Sequence, residues 1–303
     1  MRWRPARPAP ADPARRRAPG AAVKFSVATI CLPTVDIPGC IAEVRAAGFG
    51  GIEWRVEPRP GSIRDPRPAH PYLVDHHATL PLDVATVEAV ARDTRAAGLD
   101  VIGLAPYIEV GDTEMLRLAC DLANAAGAPQ IRLQAPRISR TGKSYSDLFE
   151  RTVAFFGEIE AAARAAGIRA LLEIHHNTIC PSASLAHRVV SRFDPAYVGV
   201  IYDLGNFVFE GYEAHELALD LLGEYLGHVH LKNAAHFRSP GGGWQAAWTP
   251  LEDGEVDVPR VLGLIRQRGY TGWVSVEDLS LDRSPLATLR HNAAQLREWD
   301  LLH

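Results

Sequence analysis

The sequence predicts an eight-stranded parallel β/α barrel, a TIM barrel, filling one domain. Three observations predict it. A helix-ending motif, R-A-A-G or N-A-A-G, recurs at Arg45–Gly48, Arg95–Gly98, Asn124–Gly127 and Arg164–Gly167. Each copy closes an apolar-periodic stretch and precedes a short hydrophobic run, and glycine suits the left-handed position just past a helix end. Eight such runs follow one another between residues 24 and 303, the length of a (β/α)8 domain. Finally, the first run, SVATICLPTVD, is not followed by the glycine-rich turn that a doubly wound open sheet would usually carry there.

The strands are expected, in order, at Phe25–Ile30, Gly51–Arg55, Val101–Ala105, Gln130–Gln134, Ala170–Ile174, Val198–Asp203, Gly227–Lys232 and Trp273–Glu277. Several are apolar on both faces, as strands must be when helices cover one side and a packed barrel interior the other. Helical periodicity fills the gaps at Val84–Ala97, Thr113–Ala126, Tyr145–Ala166 and Ala214–Tyr225, and Pro285–Trp299 follows the last strand. A related stop, Gln267–Arg268–Gly269, precedes that strand. Two connections are long: the proline-rich Val56–Leu82, with His70, His76 and His77, and Asn233–Val256, with the glycine cluster around Gly241. Both follow strands, so both belong to the C-terminal face of a barrel, where long loops shape active sites.

Residues 1–23 are almost all Arg, Pro and Ala and are expected to form a disordered tail ahead of a catalytic barrel at 24–303. The chain of 303 residues is 47% hydrophobic and carries a net charge of −4, so it presents no strong field to nucleic acid or an anionic membrane. No apolar run reaches the ~18 residues of a membrane span. Cys31, Cys40, Cys120 and Cys180 lack C-x-x-C spacing and read as reduced thiols of a cytoplasmic protein.

Four polar residues stand at the ends of the last four barrel strands: Glu173, Asp203, His230 and Glu277. An ionisable group at the end of an apolar strand is costly to bury without a partner. Their spacings of 30, 27 and 47 residues are one β/α unit, one unit, and one unit plus the glycine-rich insertion, which would set all four at one height. Three carboxylates and one imidazole suit a single divalent ion, Mn²⁺ first, with Mg²⁺, Co²⁺ or Zn²⁺ as alternatives. Lysine or arginine pairing of each acid is the competing explanation.

The chain resembles the xylose isomerase-like TIM-barrel superfamily, which holds sugar phosphate isomerases and epimerases as well as AP endonucleases of the endonuclease IV type. The resemblance rests on IEWR at Ile52–Arg55, LEIHHNT at Leu172–Thr178, YDLGN at Tyr202–Asn206, HVHLKN at His228–Asn233, LEDGEVD at Leu251–Asp257 and GYTGWVSVED at Gly269–Asp278. It implies that Glu173, Asp203, His230 and Glu277 bind one metal and that Glu173 and Glu277 serve as base and acid. Two positions depart from the ketose 3-epimerase pattern: Asn206 stands where those enzymes carry a histidine, and His236 where they carry an arginine. The same Asn206, with the acidic net charge, argues against a trinuclear zinc nuclease.

Other polar side chains are placed to serve a substrate. His175 and His176 follow Glu173, and His176 is a candidate proton shuttle. Lys232 shares a face with His230 and would polarise a carbonyl or neutralise the carboxylates. Arg55 and Glu53 on the second strand, and Arg132 and Gln134 on the fourth, form inward i, i+2 pairs able to grip hydroxyls or to pair across strands. Among Trp54, Tyr107, Trp244 and Trp248, the two of the glycine-rich loop are the candidates to stack on a ring, Trp244 foremost. Arg55, Gln134, His175, Asn206, Lys232, His236 and Trp244 therefore make up the expected substrate contacts.

These residues point to a metal-dependent isomerase, epimerase or lyase acting on a sugar-like polyhydroxy carbonyl compound by proton abstraction beside the carbonyl. The departures from the epimerase pattern lean toward a lyase or an isomerase of another substrate. A non-catalytic sugar-binding or partner subunit of a C-glycoside-cleaving or related complex is the alternative, and a homo-oligomer or a small partner subunit is compatible with either.

Overall fold

The computed structural model describes residues 23–57 and 76–303. Residues 1–22 of the expected tail and residues 58–75 of the first long connection, His70 among them, lie outside the described residues. Eight parallel strands close into a barrel: β1 (Lys24–Ala28), β2 (Gly51–Arg55), β3 (Asp100–Ala105), β4 (Gln130–Gln134), β5 (Arg169–Glu173), β6 (Val198–Asp203), β7 (Leu226–Leu231) and β10 (Trp273–Val276), which returns to β1. Their outward side chains, such as Trp54, Leu172, Tyr202, Val229 and Val274, are buried under a ring of helices. That ring comprises α1 (Ile37–Ala46), α2 (Val84–Ala96), α3 (Thr113–Ala126), α5 (Tyr145–Ala166), α6 (Ala183–Val190), α8 (His215–Leu222), α9 (Val258–Gln267) and α10 (Pro285–Glu298). Two short helices, α4 (Ile138–Thr141) and α7 (Leu204–Glu210), follow β4 and β6 on the C-terminal face.

All eight expected strands are present, shifted at their ends by two residues at most. Two details differ from the sequence-based expectation. The connection over 233–256 contains an antiparallel hairpin, β8 (Asn233–Arg238) and β9 (Trp244–Thr249), turning through the glycine cluster. Its alternation is muted by paired alanines, Ala234–Ala235 and Ala246–Ala247, which is why it reads as loop. The helix expected to run to Tyr225 stops at Leu222, because Gly223 takes a positive φ of 47° and starts a 3₁₀ turn.

Two of the three R-A-A-G arginines, and Arg297 outside the motif, act beyond the glycine, whereas Arg164 pairs with Asp194. Arg45 on α1 donates to the carbonyl of Ala97 at the end of α2, Arg95 on α2 donates to that of Ala126 at the end of α3, and Arg297 on α10 donates to that of Ala47 at the end of α1. Each arginine thus caps its neighbour helix, supplying the donors that terminal carbonyls lack. A Cβ at Gly98 would lie on the Arg45 guanidinium, and one at Gly127 on that of Arg95.

Register explains how the strand ends meet. In the parallel ladder Glu173 faces Ile201, Asp203 faces His230, and His230 faces Ser275. Asp203 is two residues beyond Ile201, and Glu277 two beyond Ser275, so all four side chains share the inner face. They do not stand at one height, as the spacing suggested. Tilted strands stagger the ladder by residue pairs, and the stagger is what brings the four tips to one point.

Candidate metal centre

His230 lies at the centre of the four. Its Nδ1 is 3.3 Å from Glu173 Oε1, 3.5 Å from Asp203 Oδ2 and 3.4 Å from Glu277 Oε2. One atom from each of the four residues falls within 4.8 Å of the others, and all four residues are buried. Asp203 divides its carboxylate: Oδ1 caps α7 by accepting from Asn206 N at 2.7 Å, whereas Oδ2 is buried and faces the Lys232 ammonium. Three buried carboxylates converging beside one imidazole nitrogen fit a hard divalent cation with three oxygen ligands and one nitrogen.

Two cations already stand against the acids. Lys232 Nζ is 2.8 Å from Asp203 Oδ2 and contacts Glu277 Oε2, and Arg132 Nε donates to Glu173 Oε2 at 2.6 Å. Burial would raise Glu173 and Glu277, but Arg132 holds Glu173 well below the usual carboxylate range and Lys232 holds Glu277 down at about 2. For Asp203 burial prevails over Lys232, and its carboxyl is raised. Burial would lower His230, yet the charges of Glu53 and Glu277 push it well above the ordinary imidazole value. Without an ion, a proton on His230 is the positive charge the cluster gathers.

Below the four ligands lies a polar layer. Glu53 Oε2 accepts from His230 Nε2 at 3.0 Å and lies 3.2 Å from His228 Nε2. His228 Nε2 is also 3.0 Å from Ser275 Oγ, which lies 2.7 Å from Ser26 Oγ. A carboxylate on the far ring nitrogen orients a histidine and leaves the near nitrogen free to ligate.

Above the ligands stands an aromatic wall. The rings of His175 and His176 stack at 4.6 Å, and those of His176 and Phe209 at 4.5 Å. Trp248 sits 4.5 Å from Phe209, and Lys232 Nζ lies 5.1 Å from the Trp248 ring. His176 Nδ1 donates to Asn206 Oδ1 at 2.5 Å, a proton position assigned from the amide acceptor, and Asn206 Nδ2 donates to Glu173 Oε1 at 3.5 Å. The second nitrogen of His176 is left as the basic one. Burial pushes His175 down to about 3 and lowers His176, so both rings are neutral near pH 7.

The remaining expected residues divide. Arg55 lines a cleft with Tyr107, Arg132, Glu53 and Glu277. Gln134 is half-buried on β4 and paired in register with Glu173. His236 is not brought to the cluster: it lies on the outer hairpin, 3.1 Å from Glu255 Oε1 and stacked on Tyr212. Trp244 is 66% exposed at the start of β9, paired with Arg238, four residues from the Trp248 that reaches the site. Both tryptophans have the same parity on β9, so only the direction of the hairpin separates them. Among the side chains at the site that were absent from the expected substrate and metal contacts are Glu53, which was read as a cross-strand partner, His228, Phe209, Arg132 and Trp248. The alternation His228–His230 carried the signal for the second, since both face the interior.

The chain was compared with known proteins. A family model described as xylose isomerase-like TIM barrel matches residues 41–299. An inosose dehydratase of Geobacillus kaustophilus is 26% identical over 123 residues, 37% of this chain and 39% of that protein. The chain therefore spans well under half the length of that curated relative. A 3-keto-D-glucoside 4-epimerase from E. coli superposes with a TM-score of 0.67 at 18% identity, covering 91% of this chain and 99% of that one. A protein of the same barrel type from Mycobacterium smegmatis, in complex with magnesium, gives a TM-score of 0.62 at 18% identity over 93% of this chain and 98% of its own. Among the described residues no helix is long and apolar enough to cross a membrane.

Proposed function

The chain belongs to the xylose isomerase-like TIM-barrel family, and from that premise we propose that it is a divalent-metal-dependent isomerase, epimerase or lyase of a sugar-like polyhydroxy carbonyl compound. The observation that carries this reading is the convergence of Glu173, Asp203, His230 and Glu277, all buried, on one point. The relatives' names support it: one is a dehydratase of an inosose, one an epimerase of a keto-glucoside, and one is a magnesium complex. Mn²⁺ suits the three-oxygen, one-nitrogen donor set, and Mg²⁺, Co²⁺ and Zn²⁺ are compatible with it.

An ion held there supplies positive charge beside the substrate carbonyl and so acidifies the neighbouring C–H. The chain's own residues do the rest. Glu173, kept ionised by Arg132, takes the proton on one face. Glu277 stands across the cluster as an ionised carboxylate in contact with the Lys232 ammonium, and a proton it receives from Lys232 would be delivered to the other face. Return to the opposite face is epimerisation, whereas loss of a β-oxygen is dehydration. His176, whose free nitrogen carries no proton near pH 7, is positioned to take one up and pass it to a departing oxygen, and Trp248 and Phe209 lie beside it.

The test is turnover of ketoses, inososes and 3-keto-glycosides with and without added Mn²⁺, followed in D₂O. Metal-dependent turnover with deuterium placed beside the carbonyl is expected. Glu277→Gln should lower turnover by about a thousandfold with an unchanged circular dichroism spectrum. Full activity of that variant would refute the acid/base assignment, and a purified chain that binds no divalent ion would refute the metal.

A further inference from the structure

Arg132 on β4 is 8% exposed, and its donors are unequally used. Nε and Nη2 both meet Glu173 Oε2, and the guanidinium lies 5.2 Å from the Tyr107 ring centroid. Nη1 is buried and has no hydrogen-bond partner among the described residues. Arg132 lines a cleft together with Tyr107, Arg55, Glu53 and Glu277. Enclosed N–H groups are normally satisfied, so an enclosed donor without a partner among the described residues, on a side chain that lines a cleft, marks the place of an acceptor that arrives with a ligand. Arg55, on the same cleft, is committed: Nε donates to Tyr107 Oη at 3.2 Å, Nη1 to Thr79 Oγ1 at 2.9 Å, and Nη2 lies 2.8 Å from Glu57 Oε1.

Charge then restricts what the acceptor can be. Among the described residues the cleft and the metal centre hold five carboxylates (Glu53, Glu57, Glu173, Asp203, Glu277) and three fixed cations (Arg55, Arg132, Lys232). The difference is two positive charges, which one divalent ion supplies while the histidines stay neutral. A loaded site is thus balanced before substrate enters. A carboxylate or phosphate in the cleft would lie beside Glu277 and Glu53, with Arg132 already matched by Glu173 and Arg55 by Glu57.

We propose that Arg132 Nη1 anchors a hydroxyl or keto oxygen of an uncharged polyhydroxy ketone in this cleft, and that the site discriminates against the acid analogues of the same skeleton. This inference rests on the metal-dependent reading above. It assigns Arg132 two edges with different tasks: one keeps Glu173 ionised, and the other reads the substrate.

Isothermal titration calorimetry on the full chain loaded with Mn²⁺ tests it, with methyl 3-keto-D-glucoside and an inosose as neutral probes and the C6 uronic acid of the keto-glucoside as the charged one. A neutral probe should bind at least tenfold more tightly than the acid. Arg132→Lys keeps a cation beside Glu173 but loses Nη1; it should hold Mn²⁺ within about threefold and bind the neutral probe at least tenfold more weakly. Equal or tighter binding of the acid, or no binding of either neutral probe, to wild-type protein that holds Mn²⁺ overturns the substrate class. Unchanged ketone affinity in Arg132→Lys overturns the anchor. If that variant fails to fold or to hold Mn²⁺, the comparison of neutral and acidic probes on wild-type protein still decides the class. Wild-type protein that takes up no Mn²⁺ overturns the metal-dependent reading and this inference with it, a result distinguishable from every other.

Discussion

His230 serves two neighbours with one ring. Nδ1 faces Glu173, Asp203 and Glu277, while Nε2 donates to Glu53 at 3.0 Å. A neutral imidazole carries one N–H, so the acceptor at Glu53 fixes the tautomer in which Nδ1 has its lone pair free. Glu53→Gln keeps the shape but weakens that acceptor. Mn²⁺ affinity by calorimetry should fall about 10- to 100-fold, with far-ultraviolet dichroism unchanged; an unaltered affinity would remove Glu53 from the site. His76 makes a different kind of chain. Arg55 Nη1 donates to Thr79 Oγ1, whose hydroxyl donates to His76 Nδ1 at 2.8 Å, and His76 Nε2 donates to the Ile30 carbonyl at 3.1 Å. Burial first, then the charge of Arg55, lowers His76 to about 4 from 6.5. The folded chain therefore prefers the neutral ring. The stability this contributes is complete above pH 6.5 and is lost as pH falls from there toward 4, with an upper bound of roughly 3 kcal/mol. Between pH 7 and 5 the unfolding free energy of the wild type should fall more steeply than that of His76→Gln. Parallel curves would mean that His76 is not buried neutral.

At the scale of elements, the R-A-A-G motif is a joint between helices. Its glycine takes positive φ, 78° at Gly98, and leaves the room that the arginine of the preceding helix occupies. Gly98→Ala meets both obstacles and should cost about 1–2 kcal/mol in urea unfolding. Arg45→Ala removes one obstacle and one helix cap. The double variant should therefore lose less than the two single losses added together, and strict additivity would show that the two residues do not share the space. The motif was visible in the sequence as a repeat, and its glycine could be read as a helix stop. The arginine could not be assigned, because the carbonyl it caps lies on the next helix, 52 residues away for Arg45 and 31 for Arg95. The hairpin β8–β9 was hidden for another reason. A two-stranded sheet standing off the barrel needs little apolar alternation, and its alanines supply little.

The whole molecule gathers a polar cluster in the middle of an apolar barrel. Among the described residues, five carboxylates against three cations leave the cluster with a charge deficit that a proton on His230 reduces and a bound divalent ion would remove. A ligand that binds only the folded state stabilises it by about 2.7 kcal/mol at a concentration a hundred times its Kd. For a domain of this size that corresponds to roughly 5 °C or more in Tm. Chelation with EDTA should lower Tm by that amount and Mn²⁺ should restore it, and a Tm indifferent to both would leave the cluster as an ion-pair network. Glu173, Asp203, His230 and Glu277 could be picked out from one dimension because ionisable residues at the ends of apolar strands stand out, and because a β/α unit has a nearly constant length. Their inward parity was legible for the same reason.

The barrel, its strand order and the four converging positions were written in local pattern: a period of two in strands, 3.6 in helices, and a glycine between them. Which partner each side chain takes was not, because partners belong to strands far apart in the chain. Glu53 and His228 are 175 residues apart and meet only when β10 closes on β1 and brings both strands' inner faces onto a single axis. Trp248 rather than Trp244 lies over the site for the same kind of reason: the two are alike in the sequence, and only the path of a folded hairpin sets one against Lys232 and leaves the other in water.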